Sequence, residues 1–348
     1  MPAIPHALYE LAPTALASNR SERFDGAGYE VSSDRFAPAD HALLDRVYRA
    51  INGLPLLWSS MRHGPDYPAL EAYVTRVGGD ALLSDAQHLG EATRATGSYN
   101  PAVRNALHDI RGGGLTVFLG TAELLGMMPG DRDMVRRCVD AARDHAKIMR
   151  NLLPDIDPVV RAADEATKAH GIDHFTSKWD GMATQGPTGP VSVGVQCAFE
   201  GAISARCLET SSIDRVVYNY VNNAVRFASG GAVTLWVFPV ADGLTRWVVQ
   251  NAIAADQAAF LADKAGAGFE RLFAGGVTRG GTGVGLANCA EIVADCFGIS
   301  SPAEAVRRGY LGATTRGAEY YSWFHWPAYL PTAPRTDGRV VEELAAAR

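Results

Sequence analysis

Residue types able to do chemistry gather in three stretches. The first is "ALHDIRGGGLTVFLGTAELLG", where His108 and Asp109 are adjacent and Gly112, Gly113 and Gly114 follow at once. The apolar pattern through the glycines is helical, although each glycine in a helix interior costs about 1 kcal/mol against alanine. A helix kept soft beside a histidine that must be reached accounts for them, and close helix packing through missing side chains is the alternative. The second stretch is "RVVYNYVNNAVRFASGG". Val216, Val217, Tyr220, Val221 and Ala224 form its buried stripe, while Asn219, Asn223 and Arg226 share another face through steps of four and three. Asparagine is a poor helix former, its amide oxygen can ligate Mg²⁺, and an arginine one turn on can meet a phosphate. A plain solvated polar face is the other reading.

The third stretch is "GGVTRGGTGVGLANCAEIV". Gly280, Gly281, Gly283 and Gly285 open a helix whose apolar side is Leu286, Ala290 and Val293. Glycines let backbone N–H groups approach phosphate oxygens, and a helix N-terminus favours negative charge. The loop lacks the Gly-Lys-Ser/Thr of a Walker A sequence, and no strand leads straight into it as a Rossmann start requires.

These residues need a scaffold, and the composition bounds it. The chain has 348 residues, enough for two or three domains, with 47% hydrophobic and 20% charged residues as in a soluble globular protein. A net charge of −6 argues against a general nucleic-acid binder. Cys138, Cys197, Cys207, Cys289 and Cys296 form no CxxC pair and no zinc spacing, so they read as reduced thiols in a cytoplasmic protein. "MPAIPHALYELAP" lacks a signal-peptide pattern, and no apolar run reaches the roughly 18 residues of a membrane span.

Residues 1–95 read as mostly helical, a sensor or regulatory part with no ligand motif of its own. Residues 96–155 read as a helical hairpin. Leu107, Ile110, Gly114, Val117, Thr121 and Leu124 make one heptad seam; Met134, Cys138, Ala141, His145, Ile148 and Leu152 make the second. "MMPGDRD" turns the chain between them with Asp131 as N-cap, and Pro154 ends the second helix. Two such helices cannot bury much alone, which predicts a homodimer through a four-helix bundle. "ATQGPTGP" at 183–190 reads as a joint. Beyond it "VSVGVQCAF", "AVTLWVFPV", "LTRWVVQNAI" and "AEYYSWFHW" read as strands, alternating with helical stretches to give an α/β sandwich with helices on one face. The whole is an α+β chain, with residues 331–348 as a tail.

In combination and order the motifs resemble those of sensor histidine kinases. "NYVNNAVRFA" is similar to that family's asparagine box, "GGTGVGLA" to its second glycine box, "FERLF" at 269–273 to its phenylalanine box and "ALHDIR" to its phosphoacceptor box. The resemblance covers roughly 97–330. It implies ATP and Mg²⁺ as cofactors, with His108 as the phosphorylated residue and Asp109 as the acid taking its proton. Asn223 becomes the Mg²⁺ ligand, Asn219 a companion near the phosphates and Arg226 the basic phosphate contact. Gly281, Thr282, Gly283, Gly285 and Leu286 would lie along the triphosphate loop of a catalytic ATP-binding domain at 156–330. A receiver domain of a response regulator is the implied partner, with no nucleic acid and no membrane.

Two departures stand out. The family's first glycine box, an acid followed by Gly-x-Gly, is replaced after "LTRWVVQ" by "NAIAADQ", with Asn251 in the acid's place, where its amide oxygen can accept from an adenine amino group. The proline that follows the phosphoacceptor box is replaced by the three glycines. The leading expectation is therefore a soluble, cytoplasmic, dimeric histidine kinase. A histidine phosphotransfer protein with a degenerate ATP domain and a non-enzymatic scaffold are the alternatives, and a related ATPase or serine kinase would leave "HDIR" unexplained. His145 reads as a core histidine, and His170, His174 and His325 lack partners at metal spacing.

Overall fold

An asparagine starts the helix that carries His108. Asn100 accepts from the Val103 N–H at 3.0 Å, and Pro101 stands at the first helical position, where its missing N–H has no partner to lose. The computed structural model describes residues 2–329 apart from 25, 27–28, 98, 187–188, 266–268 and 280–281. The expected tail at 331–348 lies outside the described residues.

The described chain begins with a short helix α1 (His6–Tyr9), followed by α2 (Pro38–Ser60), α3 (Tyr67–Val77), α4 (Asp80–His88) and α5 (Glu91–Ala95). Next come α6 (Pro101–Arg111), α7 (Gly113–Met127), α8 (Arg132–Leu152) and α9 (Pro158–Asp164). The remainder is β1 (Thr167–Gly171), α10 (Asp173–Trp179), β2 (Met182–Gly186), β3 (Gly189–Cys197), β4 (Ala202–Arg206), α11 (Cys207–Phe227), β5 (Ala228–Ala241) and β6 (Leu244–Ile253). It closes with α12 (Ala255–Lys264), α13 (Gly285–Cys296), α14 (Pro302–Arg307), β7 (Leu311–Arg316) and β8 (Glu319–Pro327).

Where the apolar spacing predicts one helix through the three glycines, the structure has two. Gly112 leaves the helical conformation (φ −102°, ψ −141°) and Gly113 has φ +51°. A side chain at Gly113 would be strained by about 1–2 kcal/mol, since L-residues avoid that region. Gly114 does a different job: a Cβ there would lie 3.0 Å from the His145 Cβ, so α7 and α8 touch through it. The break and the close packing thus belong to neighbouring glycines. The seam stays in phase across the break, with Leu107, Ile110, Gly114, Val117 and Thr121 buried and Leu125 taking the buried place expected of Leu124.

Asp131 caps α8 as its position suggested, accepting from the N–H groups of Asp133 and Met134. Of the 21 residues of α8, 14 are buried, too many for one seam. The helix is enclosed by α7, by α2 and by α11. The apolar stripe that argued for a second copy is therefore covered within the chain, and that reason for pairing through the hairpin falls away.

Where 183–190 reads as a joint, the described residues on both sides are strand: β2 pairs antiparallel with β3, Gly186 opposite Gly189. The main sheet runs β2-β3-β5-β6-β8-β7, with β3 and β5 parallel and all other neighbours antiparallel. α11 and α13 pack on one face. The opposite face is covered by the N-terminal segment, whose Leu8 and Leu11 sit on Phe238, Val248 and Trp323. Arg246, fully buried on β6, donates to the carbonyls of Leu8, Tyr9, Ala12 and Pro13, each at 2.8 Å, and its Nε meets His325 Nε2 at 2.9 Å. One guanidinium thus supplies donors that no secondary structure offers this segment.

Arg246→Met keeps the apolar stem and removes the donors. The unfolding free energy should fall by about 3 kcal/mol, from several carbonyls left without partners, as read by urea denaturation. Limited proteolysis should cut first within residues 2–13.

Candidate functional site

His108 occupies the last turn of α6, where Gly112 breaks the helix. Its side chain is 19% exposed, and its Nδ1 lies 3.0 Å from Asp109 Oδ1. An ionised carboxylate only accepts, so the ring proton belongs on Nδ1 and the Nε2 lone pair is left free. Asp109 itself is buried and faces no cavity. Its Oδ1 also accepts from Asn288 Nδ2 at 3.0 Å, and its Oδ2 accepts from Arg215 Nε at 2.8 Å and from the Tyr29 hydroxyl at 2.9 Å. Burial alone would raise this carboxyl, but the Arg215 guanidinium and the hydrogen bonds from His108 and Asn288 outweigh it and hold Asp109 well below the usual carboxylate range.

A cavity opens in front of His108, lined by Asn223, Arg226, Asn251, Thr282, Gly283, Gly285 and Leu286 together with Phe260, Leu272 and Tyr320. The long helix α11 presents Asn223 and Arg226; β6 presents Asn251 beside Tyr320 of β8; α12 presents Phe260 and the 3-10 turn Glu270–Phe273 presents Leu272; the loop and first turn of α13 present Thr282, Gly283, Gly285 and Leu286. Gly276 N–H donates to the Gly283 carbonyl at 2.9 Å and closes that loop on itself. A Cβ at Gly285 would lie 2.5 Å from Asn219 Oδ1 and 3.0 Å from His108 Cε1, so a side chain there would displace those two groups. The first turn of α13 is therefore pressed directly against the histidine.

A second groove, on the α7 side of His108, shares His108, Asn223 and Arg226 and adds Asn219, Asn222, Gly112, Gly113 and Thr116. Asn219 lines this groove and not the first cavity, and its Nδ2 donates to the Arg215 carbonyl at 2.9 Å. Gly281 lies outside the described residues. Asn251 Oδ1 is buried with no hydrogen-bond partner among the described residues, while its Nδ2 donates to the Ala252 carbonyl at 3.1 Å. That orphaned acceptor fits the amino group of a base. The floor around it is made by Ile253, Gln257, Phe260 and Leu261, because α12 starts where the family's first glycine box would lie.

Three residues at the site were given no role by the sequence, although two of them lie within the stretches that carry the motifs. Arg215 stands one turn before Asn219 on α11, and Asn288 three residues after Gly285 on α13; both spacings carried a signal. Tyr29 carried none. His145 is a core histidine, fully buried, with burial pushing its imidazole down to about 3. His174 does find neighbours in space, lying with Asp144 and Asp214 in a cluster of metal-ligand size. The Lys178 ammonium fills that cluster, 2.6 Å from a carboxylate oxygen of each aspartate, so a cation of the chain's own already stands between them.

No family model matches the chain, and no curated protein does. Among solved structures it is similar to sensor histidine kinases. The mycobacterial sensor histidine kinase MprB is 15% identical with a TM-score of 0.27, over 40% of this chain and 82% of that one. Full-length ShkA, in complex with AMPPNP, is 18% identical with a TM-score of 0.33, over 87% of this chain and 48% of that one. The Acinetobacter baumannii histidine kinase AdeS is 12% identical with a TM-score of 0.25, over 62% and 96%. Among the described residues no helix is long and apolar enough to cross a membrane.

Asp109→Asn should destabilise the fold in a pH-dependent way. A carboxyl held below its ordinary value of 3.8 contributes stability that is present above that value and lost as pH falls through the folded-state value. The stability gap between parent and variant should be widest above pH ~5 and shrink below pH ~4, in urea titrations at fixed pH values.

Proposed function

We propose that this chain is a protein-histidine kinase that phosphorylates His108 from ATP and passes the phosphoryl group to an aspartate of a receiver domain. One observation carries the reading: His108 lines the same cavity as Asn223, Arg226 and the Thr282–Gly285 loop, with its Nδ1 already held by Asp109. Positioning and charge neutralisation make up most of phosphoryl-transfer catalysis, and these residues supply both.

Asn251 would take the amino group of adenine, Asn223 would ligate Mg²⁺ through its amide oxygen, and Arg226 with the glycine loop would meet the phosphates. Mg²⁺, when bound, neutralises charge on the phosphate oxygens. His108 Nε2 attacks the γ-phosphorus, a P–N bond forms, and the bond to the bridging oxygen breaks with its electron pair leaving on ADP. Asp109 holds the Nδ1 proton and balances the positive charge that grows on the ring. An aspartate carboxylate of the receiver then takes the phosphoryl group from Nε2, and the imidazole returns to its starting form. Histidine and nucleotide residues belong to one chain, so the first transfer needs no second copy.

A second reading has its own support. The apolar floor beneath Asn251, built by α12 in place of a thin glycine turn, narrows the space for a base and favours a phosphotransfer protein that takes its phosphoryl group from a receiver domain. Incubation with γ-labelled ATP and Mg²⁺ separates the two. Under the kinase reading the protein becomes labelled, the adduct is acid-labile and base-stable, and His108→Ala abolishes it. Asn223→Ala should reduce labelling by roughly a hundredfold or more, since a lost metal contact removes several kcal/mol of charge stabilisation, while its circular dichroism stays that of the parent. Label surviving in His108→Ala overturns the assignment; no label from ATP, but label from a phosphorylated receiver, favours the second reading.

A further inference from the structure

The two oxygens of Asp109 are divided between partners. Oδ1 faces His108 and Asn288, and Oδ2 faces Arg215 and Tyr29. Arg215 meets Asp109 through Nε. Its Nη1 and Nη2 are buried with no hydrogen-bond partner among the described residues. Arginine and carboxylate prefer a two-pronged fork, with parallel N–H donors on both oxygens. A buried guanidinium with unused donors next to a carboxylate should close that fork, and here it has not.

Tyr29 touches both partners of that missing fork. Its hydroxyl donates to Oδ2 and accepts from Asn288 Nδ2 at 2.9 Å, and the Arg215 guanidinium lies over its ring, 4.6 Å from the centroid. Ring and hydroxyl together pin the guanidinium and one carboxylate oxygen. The other oxygen is left to His108 and Asn288.

We propose that Tyr29 is a positioning residue for His108: it keeps Asp109 from forking onto Arg215, so that Oδ1 stays on Nδ1 and Nε2 stays aimed into the cavity. The N-terminal segment thereby becomes part of the phosphoacceptor site. The segment is fixed in turn at the C-terminal end of α8 and on the turn after it. Val31 N–H donates to the Leu152 carbonyl at 2.8 Å, Glu30 pairs with Arg161, and Ser32 and Ser33 bind the Asp155 carboxylate. This inference rests on the phosphorylation of His108 proposed above.

Tyr29→Phe is the test, because it removes the hydroxyl and leaves the ring over Arg215. With γ-labelled ATP the labelling rate at saturation should fall about tenfold, as expected for a misaimed nucleophile, while the KM for ATP stays at the parent value. In an Asp109→Asn background, which has no carboxylate to fork, Tyr29→Phe should change the rate less than twofold. A merely structural tyrosine would give the same loss in both backgrounds. Phosphoramidate serves as a second donor: His108 Nε2 takes its phosphoryl group and ammonia leaves, with no nucleotide involved. If ATP labels neither protein, the kinase reading fails, and the phosphoramidate rates still decide this one. A parent-like rate in Tyr29→Phe with the donor that works, or an equal loss in both backgrounds, overturns the positioning role.

Discussion

A carboxylate that must stay ionised inside the protein organises this molecule. The Asp109 side chain is 2% exposed, and taking such a group out of water costs several kcal/mol unless donors replace the lost hydration. Its four donors come from α6, α11, α13 and the segment ahead of α2. Because each donor offsets part of that cost, these four pieces of chain have one arrangement in common. The histidine inherits that arrangement through a single hydrogen bond.

The long helix α11 meets this requirement and a second one with consecutive residues. Arg215 reaches towards α6 and Asp109, while Asp214 reaches towards Lys178 on α10 and Asp144 on α8. Neighbours on a helix diverge by about 100°, so one turn addresses two separate partners. Burial, with the neighbouring Asp144 charge, raises the Asp214 carboxyl to about 7, whereas Lys178 is held above its ordinary value by the two carboxylates around it. Further along the same helix come Asn219, Asn222, Asn223 and Arg226, which line the space around His108. The helical hairpin and the sandwich are thus registered against one element that carries both their contacts and their chemistry.

How legible this was depended on sequence distance. His108–Asp109, the asparagines of α11 and the glycines before α13 are local patterns, and the structure brings all the described ones to one place. The strands β3, β5, β6 and β8 announce themselves through apolar runs; β2 hides in a Gly/Pro-rich stretch, and β7 is the small, polar "LGATTR". Helical periodicity carried through Gly112 and Gly113 because the flanking apolar residues stay in phase, although a backbone turn separates them. The heptad seam showed that α8 must be covered but not by what, since α2 lies about a hundred residues upstream. Tyr29 stands 80 residues from Asp109, and no local spacing could join them.

The latch on the far face of the sheet sets an order of events. Residues 2–13 dock on Phe238, Val248 and Trp323 and are gripped by Arg246, partners more than 220 residues downstream. They are synthesised long before their binding surface exists, and closing so long a loop is favoured only once β6 and β8 are paired. Until those strands are paired, Leu8 and Leu11 lack the sheet face that covers them in the folded protein. Every contact of this strap with the sheet spans most of the described chain, so it adds long-range pairings that no local helix or hairpin could supply.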